Sequence, residues 1–510
     1  MSSWNYGGSS SSNPIEDEPV IPDIVDGFTS DDFYEDNADD QEIVPVPTMD
    51  YNLYGEVELQ ECMQFDSKEA TMSAIKHYHI TNGYNFNVVE SNPHLYVAQC
   101  IHYNNGCQWR LRASYSKIRH HWEIKSIDGT HTCFSTLISQ DHCNLDSTQI
   151  ASIVFHLVRT HPSIRIKSLV ADIKSCYGYT ITYRRAWIAK EKTITIEYGD
   201  WDQSYNNEVP RWLLAAQQTN PETISQLSDP PVNVDAEDGT STNIMERCFW
   251  AFGPCIEGFK YCKPVVQVDG TFLTSIYHAT LLTASAQDGN RNIFPLAFAI
   301  VEGETKEALI WFFQLLREHV TPQPNLCLIT DRGKGILSAL RSEEVDWELD
   351  NLHSVYCIRH LGSNFNNRFK NFDLKKQFIN LVKQPTMQAK LSAMRSQFPQ
   401  AVALIDKIPL HKWSQAYDGG RRSTHMTTNL AECMNYVLKG ARSLPICTLL
   451  KITFQNINVW FVERGLKANS MLRAGHQYPE DVTALLQQNH QKSAYCHVQR
   501  YDRDNSEFEV

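Results

Sequence analysis

Residues 263–360 constrain the fold of this chain more than any other stretch. They read KPVVQVDGTFL, HATLLTASAQDG and NIFPLAFAIVEG in succession, three apolar runs rich in β-branched residues with short Gly, Asp and Asn turns between them. That pattern predicts an antiparallel meander. KEALIWFFQLLREHV then moves the apolar spacing from two towards 3.6 residues, which predicts a helix. LCLITDRGKGI and HSVYCIRH add a fourth strand ending before Asp331 and a fifth ending near His360. Asp269 lies inside the first strand, after Val266 and Val268 and before Phe272. A carboxylate in such a run is costly to bury unless a cation balances it. Asp331, at the end of the fourth strand and before a Gly-rich turn, is its natural partner, and the two can share a divalent cation. Spacing alone equally allows a satisfied core Asp269 and a helix-capping Asp331.

Strand, strand, strand, helix, strand, helix, strand is the order of an RNase H-like core, so the expected class is α/β, with this core over 246–364. The aromatic-rich run 246–262 is expected to pack beneath the sheet. Residues 365–426 read as a helical insertion ending in the loop HKWSQAYDGGRRSTHM. Residues 427–510 are expected to complete the core with a long amphipathic helix, or a helix pair interrupted at Pro445. Glu432 stands one turn into that segment. It becomes a third carboxylate for the cation if the helix returns to the sheet, whereas by itself a Glu in a first turn is a dipole-favoured surface residue.

The net charge of −13 is misleading. Residues 1–62 hold sixteen Asp and Glu and no Lys or Arg, leaving 46 basic against 43 acidic residues in the rest. The folded part is therefore mildly basic and does not oppose a nucleic-acid partner. Residues 1–56, acidic and poor in apolar side chains, are expected to be disordered. No apolar run reaches membrane-spanning length, and the polar, acidic N-terminus does not read as a signal peptide. The fourteen cysteines accordingly read as reduced thiols, some of them candidate metal ligands.

Residues 57–143 read as a small α/β module: a capped helix, then the strands NFNVVES, HLYVAQC, WRLRASYS and HWEIKSID. Cys100 ends one strand, Cys107 precedes the next, and His131 and Cys133 follow the last. Four such N and S ligands suit tetrahedral Zn²⁺, and a small sheet gains from a metal staple. His102, His121, His142 and Cys143 are competing ligands of lower rank. Residues 144–200 read as three helices resembling a helix-turn-helix, the last beginning near Tyr183 and carrying Arg184, Arg185, Lys190 and Lys192 towards DNA. A basic helix that only joins two domains has the same composition. Residues 201–245, with one Trp-containing helix and then a polar loop, are read as a linker.

Several strings now line up. VDGTFL, SAQDGNRNIFPLAFAIVEGET, ITDRGKGI, YCIRH and MTTNLAECMNYVLKGARSLPI resemble the MULE transposase domain of plant Mutator-like (MuDR-type) elements. AQCIHYNNGCQWRLRAS with HTC, then SQDHCNLDS and YTITYRRAWIAKEK, resemble the zinc-binding, WRKY-like N-terminal region of the same proteins. The resemblance spans about residues 57–510 and implies a DDE transposase, nuclear, acting on the terminal inverted repeats of double-stranded DNA, and homo-oligomeric. By motif, Asp269, Asp331 and Glu432 match its catalytic acids. Cys357 and His360 match its C/D-x-x-H signature and would brace the active site. Trp413 matches an aromatic that stacks on a displaced base. The implied cofactors are structural Zn²⁺ on the Cys/His set and catalytic Mg²⁺ or Mn²⁺ on the hard carboxylates, where two ions would activate the nucleophile and neutralise the developing charge.

Members of this family usually continue into a SWIM-type zinc finger, and no such Cys/His pattern occurs in 460–510. The expectation that follows is a truncated gene model, a decayed element or a domesticated DNA-binding regulator without transposition. The intact acid triad argues for the enzyme. An RNase H-like nuclease unrelated to transposition is a third reading.

Overall fold

The computed structural model describes residues 58–133, 142–228, 247–277, 279–345, 347, 352–382, 387–422, 425–503 and 507–509. The acidic segment 1–56, residues 229–245 of the linker region and residue 246 lie outside them.

The N-terminal module forms where local signals are strong. Ser67 caps helix α1 (Lys68–Asn82) by accepting from the Ala70 amide at 3.0 Å, and Gly83 closes it at φ 71°. That left-handed cap favours glycine. Five strands follow the alternating pattern of the sequence: β1 (Gln64–Phe65), β2 (Phe86–Ser91), β3 (Leu95–Cys100), β4 (Arg110–Ser116) and β5 (His121–Asp128). They pair antiparallel in the order β1-β5-β4-β3-β2. Tyr96, Ala98, Leu111 and Ala113, alternate residues of β3 and β4, pack with Ile75, Trp109 and Trp122 into the module's own core.

Helices α2 (Ser147–Thr160), α3 (Ile166–Tyr177) and α4 (Tyr183–Tyr198) come next. Asp146 caps α2 through the Thr148 and Gln149 amides and also meets Lys76 of α1 at 2.6 Å. Their apolar stripes share one cluster with Ile80 of α1 and Leu444 from the far end of the chain.

The central sheet has seven strands: β6 (Ile224–Leu227), β7 (Cys248–Ala251), β8 (Val265–Phe272), β9 (Thr280–Gln287), β10 (Ile293–Val301), β11 (Cys327–Thr330) and β12 (His353–Tyr356). The order is β12-β11-β8-β9-β10-β7-β6, with β8, β11 and β12 parallel and the remaining pairs antiparallel. β9 is buried along its whole length, as expected of a strand covered on both faces. Two expectations need correction. Residues 201–228 are more than a linker, because Ile224–Leu227 form the last strand of the sheet. Residues 248–251 do not pack beneath the sheet but lie in it, hydrogen-bonded to β10. Without them the apolar edge of β10 would be left unpaired, and sheets cover such edges.

Helix Lys306–Leu315 crosses from β10 to β11, continuing as a wider turn over Leu316–Val320. The insertion, helices Ile358–Phe369, Phe372–Val382, Met387–Gln397 and Pro399–Ile405, builds a separate core. Its closing loop covers the outer edge of β12, where Lys412 Nζ donates to Ser354 O at 2.7 Å and Arg422 Nη1 to Tyr356 O at 3.2 Å. The chain then returns through helix Asn429–Val437, breaks before Pro445, and runs on as the long helix Ile446–Arg473. No helix among the described residues is long and apolar enough to cross a membrane.

Trp413 sits inside the insertion core, 0% exposed, its Nε1 donating to Ile408 O at 3.1 Å and its ring 5.5 Å from Phe378. The expectation that it stacks on a displaced base is therefore corrected: the ring has no surface to offer. Trp413→Ala is expected to destabilise the insertion by about 3–5 kcal/mol through the cavity it leaves. The check is urea denaturation with limited proteolysis over 358–422. Unchanged resistance there, with weakened DNA binding, would restore Trp413 as a DNA contact.

Candidate functional site

β8 carries the site. Gln267, Asp269 and Thr271 alternate on one face of it, and each bonds the returning C-terminal segment. Gln267 Oε1 accepts from the Leu430 amide at 2.8 Å, Asp269 Oδ2 from Asn435 Nδ2 at 2.9 Å, and Thr271 Oγ1 from Arg442. Asn435 also takes a hydrogen bond from Thr283 of β9 at 3.0 Å, so its amide spans two strands. These bonds lay helix Asn429–Val437 over the carboxylate of Asp269. Glu432, three residues before Asn435, is held there with it.

β11 pairs in parallel with β8, Ile329 opposite Gln267. Two residues further along that register, Asp331 comes level with Asp269. A fourth acid joins them. The carboxylate of Glu304 lies where a Cβ on Gly270 would stand, so the glycine beside Asp269 leaves room for it. Burial, together with the Glu432, Glu304 and Asp331 carboxylates, pushes Asp269 up to about 7 against the opposing pull of His360. Burial and Asp331 likewise raise Glu304. These are carboxylates that hinder one another's ionisation, as like charges in one site do.

Cations meet this charge. Burial pulls His360 down, but contact with Cys357 and the charges of Asp269 and Asp331 bring it up to about 10. Arg359 Nη1 donates to Glu432 Oε2 at 2.9 Å, and Thr428 Oγ1 donates to Glu432 Oε1 at 3.0 Å. Cys357 Sγ accepts from the Thr428 amide at 3.4 Å and lies 3.4 Å from the Thr428 hydroxyl. The tight grouping here is Cys357, His360 and Glu432, whose ligand atoms lie within 4.8 Å of one another. Asp269, Asp331 and Glu432 share one electrostatic environment without closing to that spacing among the described residues. Glu304, Asn435 and Arg359 escaped the sequence reading; Glu304 stood within the quoted VEGET string without a role.

The second constellation is Cys100, Cys107, His131 and Cys133, also within 4.8 Å of one another. Cys100 Sγ lies 3.4 Å from Cys133 Sγ, and His131 Nδ1 lies 3.5 Å from Cys107 Sγ and 3.6 Å from Cys133 Sγ. Those spacings, with a thiolate and imidazole donor set, fit a tetrahedral thiophilic cation. Burial pushes the Cys100 thiol up to about 12, whereas at Cys107 amide hydrogen bonds from Trp109 and Thr132 outweigh burial and bring it down to about 6. Burial holds His131 neutral, its pKa at about 4. The lower-ranked ligands stay outside this group. His142 bonds Tyr84 O, Cys143 bonds Asn85, His121 faces Glu123, and His102 offers Cys100 only its backbone amide.

The basic helix divides. Thr182 caps α4, and Tyr183, Arg184 and Trp187 are exposed on one side of it, with Arg185 half-buried. Lys190 is corrected: it is 7% exposed and donates to Ile164 O at 3.0 Å. It falls on the stripe of Ala186, Ala189 and Thr193 that packs on α2, and its long stem carries the ammonium to the nearest carbonyl. Lys192 donates to Ser147 Oγ and Thr148 Oγ1, both at 2.8 Å, which ties it to the start of α2.

Compared with known families, residues 265–364 match the model of the MULE transposase domain, and residues 56–143 match the MuDR family transposase model. The first match contains Asp269, Glu304, Asp331, Cys357 and His360, and the second contains the whole Cys/His group. A search of curated proteins finds no match to the chain.

Proposed function

The chain belongs to the Mutator-like transposase family, a DNA-binding segment and a transposase domain in series, and from that premise we propose that it is a DDE-type transposase. It would cleave and transfer DNA strands at terminal inverted repeats in the nucleus, working as a homo-oligomer. The observation that carries this reading is the clamp of helix Asn429–Val437 across β8, which holds Glu432 over Asp269 while β11 brings Asp331 level. The order β10-β9-β8-β11-β12, with the last three parallel, supports the RNase H-like reading of the core.

Mg²⁺ or Mn²⁺ held by Asp269, Asp331 and Glu432 would supply Lewis-acid activation of the nucleophile and neutralise the charge that develops on the phosphate. Glu304 adds a further carboxylate to the same pocket. Cys357, Asp269 and Asp331 favour the protonated form of His360 against burial, which would set a positive charge beside the acids. Asn435 holds the Asp269 carboxylate in its rotamer. Zn²⁺ is the cation proposed for Cys100, Cys107, His131 and Cys133, in a structural role that keeps the DNA-binding module folded. Tyr183, Arg184 and Trp187 form the face proposed to meet DNA. The test is nicking of a plasmid bearing the element's own inverted repeats, with and without Mg²⁺.

A second reading is a transposase-derived DNA-binding regulator. The ion pair between Arg359 and Glu432 at 2.9 Å favours it, since a neutralised third acid binds metal less well. Nicking in Mg²⁺ decides between the two.

The pH dependence of the acid pocket follows from the raised Asp269. With a folded pKa of about 7 against an ordinary 3.8, the folded site keeps a proton between those values. Asp269 therefore destabilises the fold progressively as pH rises from 3.8 to 7. A divalent cation must displace that proton. Mg²⁺ affinity is expected to be about tenfold weaker at pH 6 than at pH 8, with close to one proton released at the lower pH. Calorimetry in buffers of different ionisation enthalpy measures both. Affinity independent of pH would remove Asp269 from the metal site.

A further inference from the structure

We propose that His79 is a positioning residue for the metal cluster of the N-terminal module, setting the tautomer of His131 by accepting a hydrogen bond from it. The proposal rests on the metal reading of Cys100, Cys107, His131 and Cys133. His79 lies on α1, is fully buried, and belongs to no motif of the sequence.

The argument is one of donors and acceptors. His79 Nδ1 lies 2.6 Å from the carbonyl oxygen of Ile75. A carbonyl only accepts, so Nδ1 carries the hydrogen. Phe86 and Trp109 enclose the ring, each with its centroid 4.5 Å away, and a second proton would place an uncompensated charge among them. The ring is therefore neutral, and its Nε2 presents a lone pair. His131 Nε2 stands 3.2 Å from that lone pair and must be the donor. Neutral His131 is then left with a bare Nδ1, the atom 3.5 Å from Cys107 Sγ and 3.6 Å from Cys133 Sγ. Tyr84 and Trp109 stack on the two faces of His131 at 4.2 and 4.7 Å, which holds the ring plane. The relay from Ile75 O through His79 to His131 thus aims one lone pair at the centre of the sulfur atoms. Metal-ligating histidines commonly donate their other N–H to an acceptor that fixes the tautomer. Here the acceptor is a second imidazole, anchored on the backbone of α1.

The experiment uses the full chain, Zn²⁺ affinity by chelator competition, and the Co²⁺ absorption spectrum. His79→Phe keeps an aromatic ring and removes the acceptor, whereas His79→Gln restores an acceptor on a smaller side chain. The expected result is Zn²⁺ affinity about 10–100-fold weaker in His79→Phe, a changed Co²⁺ spectrum, and recovery of most of the affinity in His79→Gln. Equal losses in both variants would assign His79 to packing and overturn the proposal, as would wild-type affinity in His79→Phe. If His79→Phe does not fold, near wild-type affinity in His79→Gln still supports the relay, and a loss as deep as that of Cys107→Ser overturns it. Zinc-free wild-type protein would overturn the cluster reading itself, and the role of His79 with it.

Discussion

Asp269→Asn is expected to abolish Mg²⁺-dependent strand cleavage, by about a thousandfold or more, while the chain stays folded and keeps its DNA affinity. Metal-assisted charge stabilisation supplies several kcal/mol at the transition state, and each 1.36 kcal/mol is a factor of about ten. The substitution is close to isosteric. The amide oxygen of the new side chain can still accept from Asn435, which now holds Oδ2 of Asp269 at 2.9 Å. It also removes a carboxyl that burial and three neighbouring acids push up to about 7. Stability above pH 7 should therefore hold or rise, which separates loss of chemistry from loss of fold. The measurements are nicking of an inverted-repeat plasmid, thermal unfolding and DNA binding on the same preparation. Undiminished nicking would take Asp269 out of the active site.

Removing the Zn²⁺ proposed for the N-terminal module is expected to have the other large effect. Cys100 and Cys107 belong to the small core formed by Ile75, Tyr96, Leu111 and Trp122. The segment that carries His131 and Cys133 is tied to that core through the same cluster. Structural Zn²⁺ contributes about 10–16 kcal/mol in zinc-finger peptides, as much as the whole stability of many domains. Cys107→Ser or chelation should therefore unfold residues 58–133, lower zinc content from one per chain to none, and weaken DNA binding about a hundredfold or more. The acid pocket on the central sheet should still bind Mg²⁺, because its ligands come from other elements. Unchanged stability and DNA affinity in Cys107→Ser would reduce the cluster to four neighbouring residues and leave DNA contact to α4 alone.

Where the sequence was readable, the reason was local periodicity. β8, β9 and β10 alternate or run apolar between Gly, Asp and Asn turns, and the crossover helix switches period at Lys306. The Cys/His group was readable too, because short loops join the strand ends that carry it. β6 was not: Ile224–Leu227 is a four-residue edge strand, too short for a period to emerge from its polar surroundings. Charge alone misplaces Lys190, whereas a turn-by-turn count from Ala186 and Ala189 puts it on the buried stripe. Trp413 had no local signal, because its burial depends on Phe378 and the rest of the insertion core.

By itself the sequence determined which segments become strands and helices, which residue types could hold a cation, and where the acidity resides. Those properties depend on neighbours within a few residues, and the backbone period makes them visible. Only the tertiary structure decided which groups meet. Asn435 reaches Asp269 across 166 residues and Thr283 across 152. Glu304 enters the acid pocket over a glycine, Arg359 pairs with Glu432, and His79 settles the proton of His131. Such partners are selected by packing geometry, by close approach where a side chain is missing, and by the need of every buried polar group for a donor or an acceptor. None of these is encoded at a fixed spacing along the chain.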